Sequence, residues 1–223
     1  MAKVDQNLRG NEIPSPRFMD AEFWNTRYAG EGFVYGTAPN DFVAAVAARL
    51  PPGPVLCLAE GEGRNAVWLA ARGHAVTAVD QAEVALAKAR RLAAERGVPL
   101  ATVVADLAGF EIAAGTWAGI VATWLHLSPA LRRTVFARAA RGLRPGGGFI
   151  LEAYTPAQLA FATGGPRDAA LLPTAAQLRA ELAGLEFEIL RELERDVSEG
   201  TAHTGRAAVV QVLARRPAGA PGE

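Results

Sequence analysis

The chain has a single cysteine among its 223 residues, Cys57, so no intramolecular disulfide can form and no multi-cysteine zinc site can be assembled. An excess of charge of either sign is also missing. The 23 basic and 23 acidic residues cancel, which leaves no overall positive field to draw the chain to nucleic acid or to an anionic membrane surface. No uninterrupted apolar run is long enough to cross a bilayer, and the opening residues, MAKVDQNLRGNEIPSPR, lack an apolar signal segment. The expectation is a cytoplasmic protein whose partners are small molecules. With 50% of its residues hydrophobic, the chain can bury a sizeable core, and its length suits one α/β domain.

The stretch that organises the rest is VLCLAEGEGRNAVWLAA, Val55 to Ala71. It reads as a buried strand to Ala59, a tight turn at Gly61 and Gly63, and a helix from Asn65 to Arg72 whose start offers unpaired N–H groups. Strands then alternate with helices: Ala75–Val79 ending at Asp80, Ala101–Ala105 leading to Asp106, Gly119–Thr123 leading to Trp124 and His126, and Phe149–Tyr154. The helices between them span about Ala82–Arg96 and Pro129–Gly142. Such alternation predicts a parallel sheet covered on both faces, with right-handed crossovers.

Beyond Tyr154 the pattern changes to a loop over 155–173, a short helix at about Ala175–Ala183, and two apolar strands. Those strands, Glu186–Glu194 and Ala207–Ala214, are separated by the polar turn SEGTAHTG and predict an antiparallel edge. At the other end, residues 1–17 read as a flexible lead-in. Asp20 can cap a short helix carrying Phe23, Trp24 and Tyr28, and Asn40 or Asp41 can cap another that stops at Pro51. The expected organisation is one domain over 18–215, with a helical lid at 18–50 and a disordered tail at 216–223.

Gly61, Gly63 and Ala66 satisfy G-x-G-x-x-A, and Asp80 stands where a carboxylate can accept hydrogen bonds from a ribose. A tight turn with a helix cap is the bland alternative, and the spacing suits dinucleotides as well. Asp106 separates the nucleotide cofactors, because its carboxylate would reach an adenine amino group from the same edge of the sheet. A solvated aspartate at a strand end is the other reading.

Taken in order, VLCLAEGEGRN, AVTAVDQ, VVADL and LRPGGGFILEAY resemble the class I S-adenosylmethionine-dependent methyltransferases. The likeness is greatest to the bacterial tellurite-resistance and thiopurine-type branch, and it spans about Trp24 to Arg215. The resemblance implies an α/β, Rossmann-like fold: a seven-stranded, mostly parallel sheet of order 3-2-1-4-5-7-6 with strand 7 antiparallel and helices on both faces. It implies S-adenosylmethionine as cofactor, S-adenosylhomocysteine as product and no metal. By position, Gly61 and Gly63 would lie against the methionine part and Asp80 would hold the ribose hydroxyls, with Asn65 and Gln81 also expected among the cofactor-binding residues. Asp106 and the Leu107 amide would face the adenine, and Thr123 would approach the methionine end. Family members commonly carry an acidic residue where Cys57 stands, and Glu60 could supply that carboxylate to the cofactor's ammonium group.

On the acceptor side, His126 could take a proton, or else be hydrogen-bonded locally beneath the loop. His203 and Arg206, in the turn between the last two strands, could bind an anionic or metalloid substrate, as the resemblance also suggests, or belong to a plain solvated hairpin turn; Tyr154 could floor the pocket or be structural. Trp24, Tyr28 and Tyr35 could cover the sulfonium with aromatic faces. The activity expected is methyl transfer to a small soft nucleophile, a thiol or a metalloid such as tellurite or selenite. A nicotinamide-dependent oxidoreductase and a non-catalytic cofactor-binding protein are the alternatives. The first lacks the support of a Tyr-x-x-x-Lys pair.

Overall fold

The structure, a computed structural model, describes residues 20–161 and 163–219. The lead-in expected at 1–17 lies outside the described residues, as do 220–223 of the expected tail. Within the remainder of that tail, Arg216 is tied to the sheet, its N–H bonding to the Gly147 carbonyl at 2.9 Å.

Seven strands form one sheet: β1 (Pro54–Leu58), β2 (Ala75–Asp80), β3 (Ala101–Val104), β4 (Trp117–Thr123), β5 (Leu143–Tyr154), β6 (Glu186–Glu199) and β7 (His203–Arg215). Their order is β3-β2-β1-β4-β5-β7-β6, with β7 antiparallel to both neighbours and the other pairings parallel. This is the architecture the resemblance implies. The helices are α1 (Ala21–Arg27), α2 (Asp41–Val46), α3 (Arg64–Ala70), α4 (Glu83–Glu95), α5 (Pro129–Gly142) and α6 (Ala175–Glu181).

Side-chain alternation along β1 divides the core in two. Leu56 and Leu58 join Ile120, Phe136 and Phe149 on the face covered by α5 and α6. Val55 and Cys57 join Val43, Leu69, Leu86 and Val121 on the face covered by α2, α3 and α4. Each leucine fully buried this way contributes about 1.5–3 kcal/mol. Cys57 is a core side chain, and burial pushes its thiol well above the usual range.

The segment that precedes β1 is packed onto the sheet. Asp20 accepts the Phe23 N–H and caps α1, and Asn40 accepts the Val43 N–H and caps α2. Leu50 lies across the bare backbone of β4 and β5: a Cβ at Gly119 or Gly148 would come 2.8 or 2.6 Å from its methyl carbons.

The terminal hairpin differs from the expectation. β6 and β7 run on through SEGTAHTG, pairing Asp196 with Arg206, Val197 with Gly205, Ser198 with Thr204 and Glu199 with His203, so that only 200–202 turn the chain. Polar side chains do not end a ladder whose inward-facing positions are covered, and here Val197, Glu199 and His203 are buried. β5 likewise starts at Leu143 rather than Phe149, across a register shift beside Trp117.

Candidate active site

A crevice with an empty volume of about 1030 Å³ opens at the carboxyl ends of β1, β2 and β4 and the residues that follow β3. Its place is where open α/β sheets bind ligands. One wall starts where β1 ends. Ala59 takes φ +48°, a left-handed conformation costly for a residue with a Cβ, and the chain then turns through Gly61 at φ +63° and Gly63 at φ +90°. Gly63 begins α3 so close to α4 that a Cβ would fall 2.6 Å from the Ala89 Cβ.

The start of α3 is not open to a ligand, contrary to the sequence reading. Glu60 Oε1 accepts the N–H groups of Asn65 and Ala66, both at 2.8 Å, and so satisfies two of the helix's free donors. Burial pushes the Glu60 carboxyl up to about 7, against the opposing pull of the Ala66 and Asn65 N–H groups and the Arg64 charge.

Asp80 faces the same crevice from the end of β2. Its Oδ2 accepts the Gly61 N–H at 2.8 Å and its Oδ1 the Ala82 N–H at 2.9 Å, and burial raises its pKa. Gln81, Asp106 and Leu107 continue the wall, with Asp106 exposed and its Oδ1 holding the Ala108 N–H at 2.9 Å. Thr123 lines the far side. Asn65 lies behind the wall, donating to Thr123 Oγ1 at 2.9 Å and accepting the Asn40 N–H at 2.9 Å. The two glycines shape the wall without lining it: Tyr28 covers Gly61 so closely that a Cβ there would stand 2.9 Å from its hydroxyl oxygen.

Aromatic rings roof the crevice. Trp24 stacks on Tyr28 at 5.7 Å, Tyr28 meets Tyr35 edge-on at 6.1 Å, and Tyr35 meets His203 at 4.6 Å. The buried Glu62 holds this cover down, accepting the Val34 and Tyr35 N–H groups at 2.7 and 3.3 Å and pairing with Lys88 at 2.8 Å.

The acceptor end centres on Glu199. This buried carboxylate accepts Trp124 Nε1 at 2.6 Å, Arg64 Nη2 at 2.5 Å and Asn40 Nδ2 at 2.8 Å. Burial works against its charge, but the Arg64 guanidinium bonded to it outweighs that and holds the pKa at about 2. His203 Nδ1 stands 3.9 Å from Glu199 Oε2, beyond hydrogen-bond length. Trp124, in this grip, takes φ +55°, a second strained position on the crevice wall. His203 lines the crevice and is held neutral chiefly by burial.

Three expected acceptor residues are placed otherwise. His126 lines the crevice, but its Nε2 accepts the Tyr154 N–H at 3.2 Å, and burial lowers its pKa to about 3, so it is not a free base. Tyr154 stands behind the wall, 4.4 Å from the Trp124 ring, and burial raises its hydroxyl pKa. Arg206 is on β7 rather than in a turn, three residues after the inward His203 and therefore on the opposite face. It is half-exposed and pairs with Glu194 at 3.3 Å and Asp196 at 3.9 Å, outside the crevice. Arg64, Glu62 and Glu199, which shape the site, escaped the sequence reading. Arg64 stood within the glycine motif, whereas Glu199 lies 135 residues further on and carries no local signal.

Residues 55–147 match the methyltransferase domain family. A 2-heptyl-1-hydroxyquinolin-4(1H)-one methyltransferase of Mycobacteroides abscessus is 33% identical over 108 residues, which make up 47% of this chain and 48% of that protein. The chain thus spans about half the length of the curated relative it matches. Solved structures share the fold over most of the chain. One, from work on the conversion of a disulfide bond into a thioacetal group during echinomycin biosynthesis, is 24% identical with a TM-score of 0.70, covering 90% of this chain and 93% of that one. TehB from Haemophilus influenzae is 19% identical with a TM-score of 0.63, covering 88% and 66%. The methyltransferase domain match includes Glu60, Asp80, Asp106 and Thr123, whereas the aromatic roof, Glu199 and His203 lie outside it. Among the described residues, no helix is long and apolar enough to cross a membrane.

Proposed function

We propose that the chain is an S-adenosylmethionine-dependent methyltransferase acting on a small acceptor. The observation that carries this reading is the pair of carboxylates, Asp80 and Asp106, on one wall of the crevice at the ends of adjacent strands. The donor set suits the cofactor. Asp80, fixed by the Gly61 and Ala82 N–H groups, can accept a ribose hydroxyl, while Asp106 and the Leu107 amide can meet the adenine edge. Glu60 offers its second oxygen to the ammonium group, and Thr123 with Trp24, Tyr28 and Tyr35 encloses the sulfur end. Residues 20–50 act as a cover belonging to the same domain as the sheet.

When bound, the cofactor supplies a methyl group already activated by the positive charge on sulfur. The chain's own task is then to hold a nucleophile in line with it and to exclude water, effects worth roughly 7–11 kcal/mol in well-oriented systems. The acceptor end is walled by Tyr35, Trp124, Leu127 and His203. These surroundings favour a soft nucleophile, a thiol or a metalloid already reduced, over an oxyanion, because Arg206 is turned away. The same aromatic wall favours a second reading, a planar hydroxylated ring like the substrate named for the Mycobacteroides relative, with His203 on that wall as the candidate to receive its proton.

Calorimetry tests the cofactor. Micromolar binding of S-adenosylhomocysteine and none of NADH is the expected result, and the reverse overturns the proposal. Methyl-labelled cofactor offered with a thiol, selenite, tellurite and a 1-hydroxyquinolin-4(1H)-one then separates the acceptor classes. Binding without transfer to any of them would favour a non-catalytic role.

A further inference from the structure

We propose that Trp124 is the platform on which the acceptor lies, that the acceptor is accordingly carried on a flat aromatic ring, and that Glu199 is the positioning residue behind it. The inference rests on the methyltransferase reading. Trp124 takes φ +55°, a left-handed backbone that a bulky side chain adopts only where its surroundings impose it. It follows Thr123, the last residue of β4, and lines the crevice there. Two hydrogen bonds impose the conformation. The Trp124 backbone N–H donates to the Glu152 carbonyl at 2.8 Å, and the indole Nε1–H donates to Glu199 at 2.6 Å.

The anchor is itself fixed. Glu199 is buried on β6, 75 residues further along and outside the span matched by the methyltransferase domain family. Asn40 and Arg64 hold its two oxygens at 2.8 and 2.5 Å, and Arg195 approaches at 3.4 Å. Tyr154 packs against the indole with ring centroids 4.4 Å apart, and His203 meets it edge-on at 5.0 Å. The rest of the half-buried ring meets the crevice. An aromatic ring locked before the ligand arrives offers stacking area with little ordering cost. Such a surface selects for a π-face, which a metalloid oxyanion or a short aliphatic thiol does not have. The nucleophile is therefore a substituent of a flat ring.

The test is calorimetry on the full chain saturated with S-adenosylhomocysteine, with 1-hydroxyquinolin-4(1H)-one and its fully ring-saturated analogue as probes. The wild-type protein should bind the flat compound roughly 10- to 100-fold more tightly, the range for stacking on one aromatic side chain. Trp124→Leu should reduce that preference to within about twofold, whereas Trp124→Phe, which restores a flat face, should keep most of it. Glu199→Gln retains an oxygen for the indole N–H, and its affinity for the flat probe should stay within about threefold of wild type; Glu199→Leu should lose about tenfold or more. Both Glu199 variants strand Arg64, so equal losses in the two would trace to that charge and overturn the positioning role. Thermal melting checks that each variant is folded. A preference that survives in folded Trp124→Leu overturns the platform. Equal binding of the two probes by the wild-type protein, or binding of neither, also overturns it however the variants fold. If the wild-type protein does not bind S-adenosylhomocysteine, the methyltransferase reading itself fails.

Discussion

His126 accepts the backbone N–H of Tyr154 through Nε2 at 3.2 Å, joining the end of β5 to the loop that follows β4. The bond requires that nitrogen to be unprotonated, and burial of the ring enforces it. His126 is therefore a structural acceptor at the edge of the crevice rather than a base in it.

The consequence for pH dependence has a definite sign. The His126 pKa falls from 6.5 to about 3 on folding, so the unfolded chain takes up the proton first as pH drops. Stability tied to this group is full above 6.5 and is lost as pH falls towards 3. Urea denaturation at pH 7.5 and pH 5 should show the wild-type protein losing about 2 kcal/mol more than His126→Gln. Parallel losses in the two proteins would contradict it.

Glu60 behaves in the opposite sense. Its pKa rises from 4.5 to about 7 on folding, chiefly through burial, so stability is full below 4.5 and declines as pH climbs through 7. Between pH 5 and pH 8, Glu60→Gln should gain on the wild-type protein by about 3 kcal/mol in urea melts. Near pH 7 an arriving ammonium group would drive Glu60 to ionise. S-adenosylhomocysteine should then release a fraction of a proton on binding, read as a dependence of the heat on buffer ionisation enthalpy, and the Gln variant should show none from this group.

Gly63→Ala tests the turn itself. The substitution places a Cβ at φ +90° and 2.6 Å from the Ala89 Cβ, combining a left-handed backbone with a clash between α3 and α4. A loss of about 2–4 kcal/mol is expected from chemical denaturation. A loss under 0.5 kcal/mol, about the limit for an innocuous surface change, would mean that α3 can shift away from α4.

Arg206→Ala should change little. Its pairs with Glu194 and Asp196 are half-exposed, so a stability change below about 1 kcal/mol is expected. Affinity for S-adenosylhomocysteine should stay within twofold. A tenfold loss would place the arginine in the crevice after all.

The sequence by itself determined the strand-turn-helix at Val55–Ala70, the places of Asp80 and Asp106, and the antiparallel end of the sheet. Those features are local: alternation of apolar residues, glycine where φ must be positive, and a carboxylate at the last position of a strand. Tertiary structure decided the rest. That Glu60 caps α3, that Glu199 joins Arg64 and Trp124 across more than a hundred residues, that His126 is neutral and that Arg206 faces outward all depend on which groups lose their water and what then stands beside them. Burial and long-range pairing belong to the packed chain as a whole, and no short stretch of residues encodes them.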